Sequence, residues 1–332
     1  MVQVAVQSTE PFVAHEAAAP PAAPSRYHMA FHGTGGGLFL LILKNVLFTL
    51  LSFGVYAAWA TTARRKYVWQ NIEFHGQRLV YHGTGRELLV GYLKVMAGYL
   101  LFLGIPAALR LISPTLANVV LVAMALGLVA LVPFAIYWSR AYLLSRTSWR
   151  GVRFSMEPGA ASFARTFIVG YLLTFLTLGL YGPVWLNRLR KVSTERSRFG
   201  NQAFRYDGSD LEAWKISIKG MVLTVLTLGV YYFWYAAELS RYETEHTHFQ
   251  GARARLALSG WDLCKLTLLY LFGTTFTLGL AFPWLATYGL RFFLERLTLE
   301  GNIDFASVAQ NDVRGTAAGD GLADALDVGV AL

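Results

Sequence analysis

Phe175–Trp185 reads FLTLGLYGPVW, and close variants of it occur elsewhere: LLSFGVYAAW ends at Trp59, VLTLGVYYFW at Trp234 and TFTLGLAFPW at Trp284. In each, a glycine interrupts an apolar run and a tryptophan follows five or six residues later. The break glycines are Gly54, Gly179, Gly229 and Gly279, the last three spaced 50 apart. Fifty residues beyond Gly54 lies Gly104 in LFLGIPA, a weaker copy without the aromatic tail. The period predicts five units, at about 30–80, 81–155, 156–205, 206–255 and 256–305, within a repeated domain spanning 26–305.

Twenty residues before the breaks stand Thr34, Thr84, Gly159, Ser209 and Ser259. Four of these five carry the side-chain oxygen that best satisfies a free N–H at a helix start. Thr84–Glu87 and Ser209–Glu212 have the spacing of capping boxes, and Ser259–Asp262 is a shorter relative. A helix begun there and ended at the glycine is about 30 Å long, the thickness of a bilayer core. The glycine suits a left-handed C-cap, and Pro183 and Pro283 suit the first turn of a second helix. Trp59, Trp185, Trp234 and Trp284 then fall at an aromatic-belt depth. The expected fold is a polytopic α-helical membrane protein of about five helical hairpins, about ten membrane helices, with short cytoplasmic β-strand linkers. Shallow re-entrant hairpins fit the uncharged windows nearly as well. Glycine-bounded alternation places the strands at 72–83, 151–156, 202–208, 251–260 and 301–308.

Composition agrees with a membrane protein: 55% of the 332 residues are hydrophobic, 15% are charged, and mean hydropathy is +0.42. Residues 111–139 carry no formal charge, nor do 45–63, 166–187, 220–237 and 266–290. Residues 1–25 hold Glu10, Glu16, four prolines and no Lys or Arg; 306–332 hold four Asp and one Arg. Both read as disordered tails, the second acidic. Removing their −2 and −3 from the net +9 leaves +14 on residues 26–305. Hairpins place the basic runs at 63–67 and 187–191, with Arg241 and Arg291, on one side and leave only Arg110 outside. The positive-inside rule makes that side, and both termini, cytoplasmic.

Phe31-His-Gly-Thr-Gly35, then Gly54, Tyr56, Trp59, Arg64, Arg65, Asn71, Phe74, Gly76 and Tyr81-His-Gly-Thr-Gly85, resembles the YjgN-like family of bacterial inner-membrane proteins, over about residues 30–305. The resemblance implies a multi-pass, inner-membrane domain and supplies no substrate. The motif is complete only in the first unit; later units put DGSD (207–210) or SGWD (259–262) where it has GTG.

Enzyme chemistry finds little footing. Six histidines, His28, His32, His75, His82, His246 and His248, fall between the hairpins without an HExxH or carboxylate cluster, so no metal site is expected. HGTGGG at 32–37 lacks the Walker lysine and serine, and capping explains it better than phosphate binding. Cys264 has no nearby His, and no G-x-S-x-G appears. No catalytic residue, cofactor or nucleic-acid partner is expected.

The basic residues inside the apolar helices are the sharper signal. Lys44, Lys94 and Lys219 stand ten positions before a break, and Arg165, Lys215 and Lys265 stand fourteen before one. The two levels are one turn apart and share a helix face. Arg64, Arg65, Arg140, Arg190, Arg241 and Arg291 on the second helices can face the same space, with Glu238 and Glu243 as the few available partners. One reading is a transporter or channel with a basic cavity for an anionic solute or lipid headgroup. The other is a non-transport scaffold or sensor whose cations snorkel to anionic lipid or meet a cytoplasmic partner.

Overall fold

The computed structural model describes residues 25–310. The chain opens with β1 (Arg26–Phe31) and then alternates helix pairs with strands. Helices α1 (Gly35–Leu51) and α2 (Ala57–Asn71) lead to β2 (Ile72–Phe74), β3 (Gln77–Arg78) and β4 (Val80–Tyr81). Helices α3 (Gly85–Arg110) and α4 (Pro114–Ser145) lead to β5 (Thr147–Trp149) and β6 (Val152–Met156). Helices α5 (Ala160–Leu176) and α6 (Gly182–Glu195) precede β7 (Ser197–Phe199) and β8 (Gln202–Tyr206). Helices α7 (Asp210–Leu226) and α8 (Tyr232–Glu245) precede β9 (Thr247–Phe249) and β10 (Ala252–Leu256). Helices α9 (Gly260–Phe276) and α10 (Phe282–Arg296) end in β11 (Leu297–Glu300) and a 3₁₀ turn at Phe305–Ser307.

The strands form one antiparallel sheet in the order β3-β2-β1-β11-β10-β9-β8-β7-β6-β5-β4. Its two edge strands, β3 and β4, are separated in the chain by Leu79 alone, so the sheet comes round into a near-barrel. The helices do the same: each packs on its chain neighbours, and α10 returns to α1.

The expected ten membrane helices joined by short strand linkers are corrected on both counts. Among the described residues only α3 and α4, at 26 and 32 residues, are long and apolar enough to cross a bilayer. The other eight have 14 to 17 residues, about 21–26 Å of helix against a core of about 30 Å. The strands, in turn, build a continuous sheet. Spacing missed half of it because His75-Gly76, Arg150-Gly151 and Gln250-Gly251 have positive φ at both positions. They are two-residue hairpin turns with a strand on either side, so Gly151 and Gly251, read as strand starts, lie inside hairpins, and His75-Gly76 splits the expected strand 72–83. Residues 301–308 are not a strand, and β1 precedes the first unit.

At the helix breaks the left-handed residue is the one before the glycine. Phe53, Leu178, Leu228 and Leu278 have φ of 50–51°, and Gly54, Gly179, Gly229 and Gly279 follow at 85–94°. Each glycine N–H reaches the carbonyl five residues back, as Gly179 does to Thr174 at 2.7 Å, which is the Schellman ending. The oxygen of Ser52, Thr177, Thr227 or Thr277 then accepts the N–H four residues on and so starts the second helix. Gly104 takes no part: it lies inside α3, and that pair turns at residues 111–113.

The expected first-helix caps divide. Thr34 and Thr84 accept from Gly37 and Glu87 N–H, and Ser259 with Asp262 forms a full capping box. Ser209 makes no side-chain cap bond. The glycine after Thr34, Thr84 or Ser259 has a different task. A Cβ added at Gly35, Gly85 or Gly260 would lie 2.8–2.9 Å from the Cα of Trp284, Trp59 or Trp234, so the start of a first helix rests on the tip end of the preceding second helix. Trp185 is offset by one position and packs on Gly170 of its own hairpin. Trp214 repeats the stagger by donating to Leu180 O at 2.9 Å. A stagger repeated around a closed ring has no net rise, so the hairpins must incline to the ring axis, as shear tilts strands in a barrel.

Of the tails, residues 1–24 and 311–332 lie outside the described residues, but 306–310 are tied in. Val308 is buried, Ala309 O accepts from Asn201 N–H, and Gln310 accepts from Arg153 N–H at 2.8 Å.

Gly85→Ala and Gly260→Ala should each lower stability by about 1–3 kcal/mol, because the clash is with tryptophan backbone. Gly98→Ala, with open space around it, should be neutral or stabilising by up to about 1 kcal/mol. Thermal unfolding in detergent checks both; equal effects at all three sites would refute the docking role.

Candidate functional site

Two regions qualify by chemistry: the cations of the helical ring, and the axis that runs into the barrel. The first helices form the outer layer, each wedged between two second helices, while the second helices pack over the strands. Lys44 on α1 is exposed beside the exposed Leu40, Leu43 and Leu47. Lys94 lies beside Val90 and Leu93, Arg165 beside Ile168 and Val169, and Lys265 beside Trp261, Leu268 and Leu269, all exposed. Lys215 and Lys219 continue an exposed row from Leu211 to Val222. These cations share the face that bears exposed apolar side chains.

The residues on the second helices have other surroundings, and one first-helix lysine reaches them. Lys219 on α7 donates to both oxygens of Glu238 on α8, at 2.6 and 2.7 Å. Arg190 on α6 meets Glu243 on α8 at 2.5 Å, which links two second helices directly. Arg65 donates to Tyr81 Oη at 3.3 Å. Arg291 donates to the carbonyls of Phe31 and Gly33, at 3.3 and 3.2 Å, and so holds the link between β1 and α1. Arg64 lines a groove between α1 and α2 with Asn45, Thr49 and Thr61. Arg241 is exposed, and Arg140 keeps accessible surface although protein atoms surround its guanidinium, which lies near that of Arg190. The twelve cations therefore do not converge on one point.

Residues with weak sequence signals hold the barrel rim. Tyr206 donates to Asn187 Oδ1 at 2.7 Å, Asn187 donates to Asp210 at 2.8 Å, and Arg188 meets the same carboxylate at 2.6 Å. Burial pushes the Tyr206 phenol far above its ordinary range, so it stays a donor. On the other flank His82 lies 2.7 Å from Ser148 Oγ. Burial, then Arg153, Arg146 and Lys66, hold its imidazole below the ordinary value. The flank around His82 is thus electropositive.

Inside the barrel the chemistry is apolar. Trp149, Phe199, Phe249 and Val308 form a buried cluster, joined by Phe74, Phe154, Phe204 and Phe305. Phe305 closes one end by edge contacts with Tyr27 and Trp149 at 5.4 and 5.1 Å. The remaining space is a cavity of about 240 Å³ with an apolar lining. The signal for this core was the aromatic that precedes each two-residue turn, Phe74, Trp149, Phe199 and Phe249.

A ring of helical hairpins seated on an aromatic-filled barrel defines a membrane protein with a basic belt. The chain belongs to the family described as bacterial protein of unknown function (DUF898), whose model matches residues 26–226 and 232–325. It is 34% identical over 137 residues to inner membrane protein YjgN of Escherichia coli K12, covering 41% of this chain and 33% of that protein. It is 27% identical over 169 residues to the protein of that name from Salmonella typhimurium LT2, covering 47% and 41%. The matched stretches thus span a third to two-fifths of these relatives, which place the chain among bacterial inner-membrane proteins. No solved structure matches.

Phe305→Ala should cost about 1–3 kcal/mol, because it empties part of an aromatic cluster. Phe305→Leu should cost less. Unfolding midpoints of the purified protein decide the point, and an unchanged midpoint for the alanine variant would mean that Phe305 does not close the barrel.

Proposed function

We propose that the chain acts as a non-transporting membrane scaffold or sensor that gathers anionic lipid headgroups on its basic belt, with the barrel and both ends of the chain on the cytoplasmic side. One observation carries this reading: the barrel end of the ring axis is filled by Trp149, Phe199, Phe249 and Phe305, whereas Lys44, Lys94, Arg165 and Lys265 stand among exposed apolar side chains on the outer face of the ring. Transport of an anion, the other function suggested by the basic positions, requires a water path along the axis. An aromatic core offers such an ion no ligands and a high desolvation cost. Lysines on an apolar outer face instead extend their stems along lipid and place the ammonium groups among headgroups. Each basic side chain near an anionic surface contributes roughly 1 kcal/mol. The Lys and Arg of the runs at 63–67 and 187–191, with Arg241 and Arg291, favour the cytoplasmic side for the barrel end.

The test uses the whole protein in vesicles of phosphatidylglycerol and phosphatidylcholine with spin-labelled lipids. The protein should favour phosphatidylglycerol at its boundary, and Lys44→Gln, Lys94→Gln and Lys265→Gln together should reduce that preference by several-fold, at about 1 kcal/mol per charge or less. Lys219→Gln should matter less, since Glu238 already neutralises that lysine. Chloride and phosphate release should match protein-free vesicles. Release that depends on the three lysines would overturn the scaffold reading in favour of transport.

A further inference from the structure

The turn between α5 and α6 puts a bulky apolar residue where few such residues are found. Leu178 is left-handed, with φ 51°, and Phe53, Leu228 and Leu278 repeat this at 50–51°. For a side chain with a Cβ that conformation is strained, and glycine or asparagine would avoid most of the strain. All four side chains are more than nine-tenths exposed, so no protein contact offsets the strain. In water the combination is doubly unfavourable. In hydrocarbon it is not, because burying a leucine or phenylalanine there gains at least as much as the strain costs.

The charges then fix how deep the tips can go. Lys44 and Arg64 lie ten residues either side of Gly54, and Lys219 and Glu238 lie ten before and nine after Gly229. Arg165 and Arg188 lie fourteen before and nine after Gly179, and Lys265 and Arg291 fourteen before and twelve after Gly279. Along a helix, nine to fourteen residues measure about 14–21 Å, and inclination shortens the reach. One leaflet of hydrocarbon is about 15 Å deep. A tip at the far headgroups would drag these charges to mid-bilayer, where ionised side chains are strongly disfavoured.

The α3–α4 pair has the opposite design. Lys94 and Arg110 lie sixteen residues apart, about 24 Å of helix, and Arg110 stands beside a turn closed by Ser113, whose side chain caps α4. That tip carries a charge, Arg110, beside the exposed Leu111 and Ile112, where the other four tips carry exposed leucine or phenylalanine and no charge.

We infer that four of the five hairpins, those tipped by Phe53, Leu178, Leu228 and Leu278, enter only the leaflet next to the barrel and end near the bilayer centre, while α3–α4 alone crosses to the opposite face. The partner of this surface is the hydrocarbon of a single leaflet. The ring thereby becomes a one-sided wedge that displaces lipid in that leaflet and adds two helices to the other. The inference does not depend on anionic-lipid binding, and its test is blind to headgroup preference.

In a Cys264→Ala background, single variants Leu178→Cys, Leu228→Cys and Ile112→Cys separate the alternatives. A membrane-impermeant maleimide reacts with thiols in water, so from outside intact spheroplasts it should label residue 112 and react with the tips at least about tenfold more slowly. From inverted vesicles the tips should stay equally protected. A bimane on the tip cysteine should be quenched most by lipids brominated near the chain end and least by those brominated near the headgroup. Val230→Cys, beside a tip and outside the strained position, repeats the measurement should Leu228→Cys not assemble. Outside labelling of the tips as fast as of residue 112 would mean that the hairpins cross. Protection of residue 112 from both sides would mean that α3–α4 does not.

Discussion

One register of backbone hydrogen bonds turns this chain from a row of hairpins into a ring. Strand β1 lies between β11 and β2, with Tyr27 opposite Leu299 on one side and Ala30 opposite Glu73 on the other. The first and last hairpins can then touch, and α1 packs against α10. Charge reinforces the seam: Glu300, little exposed, meets Arg26 at 3.1 Å and Arg255 at 2.7 Å. Without β1 both neighbours would present open edges, which soluble or membrane sheets do not leave unprotected.

Closure dictates the rest by geometry. Once α1 must meet α10, the stagger set by glycine against tryptophan cannot accumulate, and inclined hairpins are the outcome. All strands gather at one end, where alternation turns the aromatics of Phe74, Trp149, Phe199 and Phe249 inward to fill the barrel. All helix breaks gather at the other, where Phe53, Leu178, Leu228 and Leu278 face outward. Cations mark the boundary between the two. The ring is thus polar along its axis in the same sense as a membrane surface.

Much of this was legible in the sequence, and the parts that were not have physical reasons. Short-range signals read well: Thr34, Thr84 and Ser259 cap helices, and a helix ends at Gly54, Gly179, Gly229 and Gly279. Gly104 misled because spacing cannot tell a tolerated helix glycine from a terminating one when the polar residue that closes the turn, Ser113, lies nine positions on. Leu178 and its counterparts were invisible as left-handed residues because no propensity rule expects leucine there. The sheet was underestimated because its pairing is long-range: β1 and β11 are more than 260 residues apart. The candidate cations were found, but one-dimensional spacing places them on a face without saying whether that face looks at lipid or at an interior. Arg291 illustrates the limit, since its target is the backbone of Phe31 and Gly33, far upstream.

The ring itself is most directly tested by cross-linking its seam. Paired cysteines at His28 and Thr298, and separately at Ala30 and Glu73, in a Cys264→Ala background, place thiols on directly opposed residues of antiparallel strands, within the roughly 4.4–6.8 Å Cα separation a disulfide needs. A closed ring predicts that mild oxidation in membranes gives an intramolecular cross-link for both pairs, seen as one faster-migrating monomer band that reverts on reduction. Disulfide-linked dimers, or no bond for either pair in a folded protein, would show that β1 does not lie between β2 and β11 of its own chain.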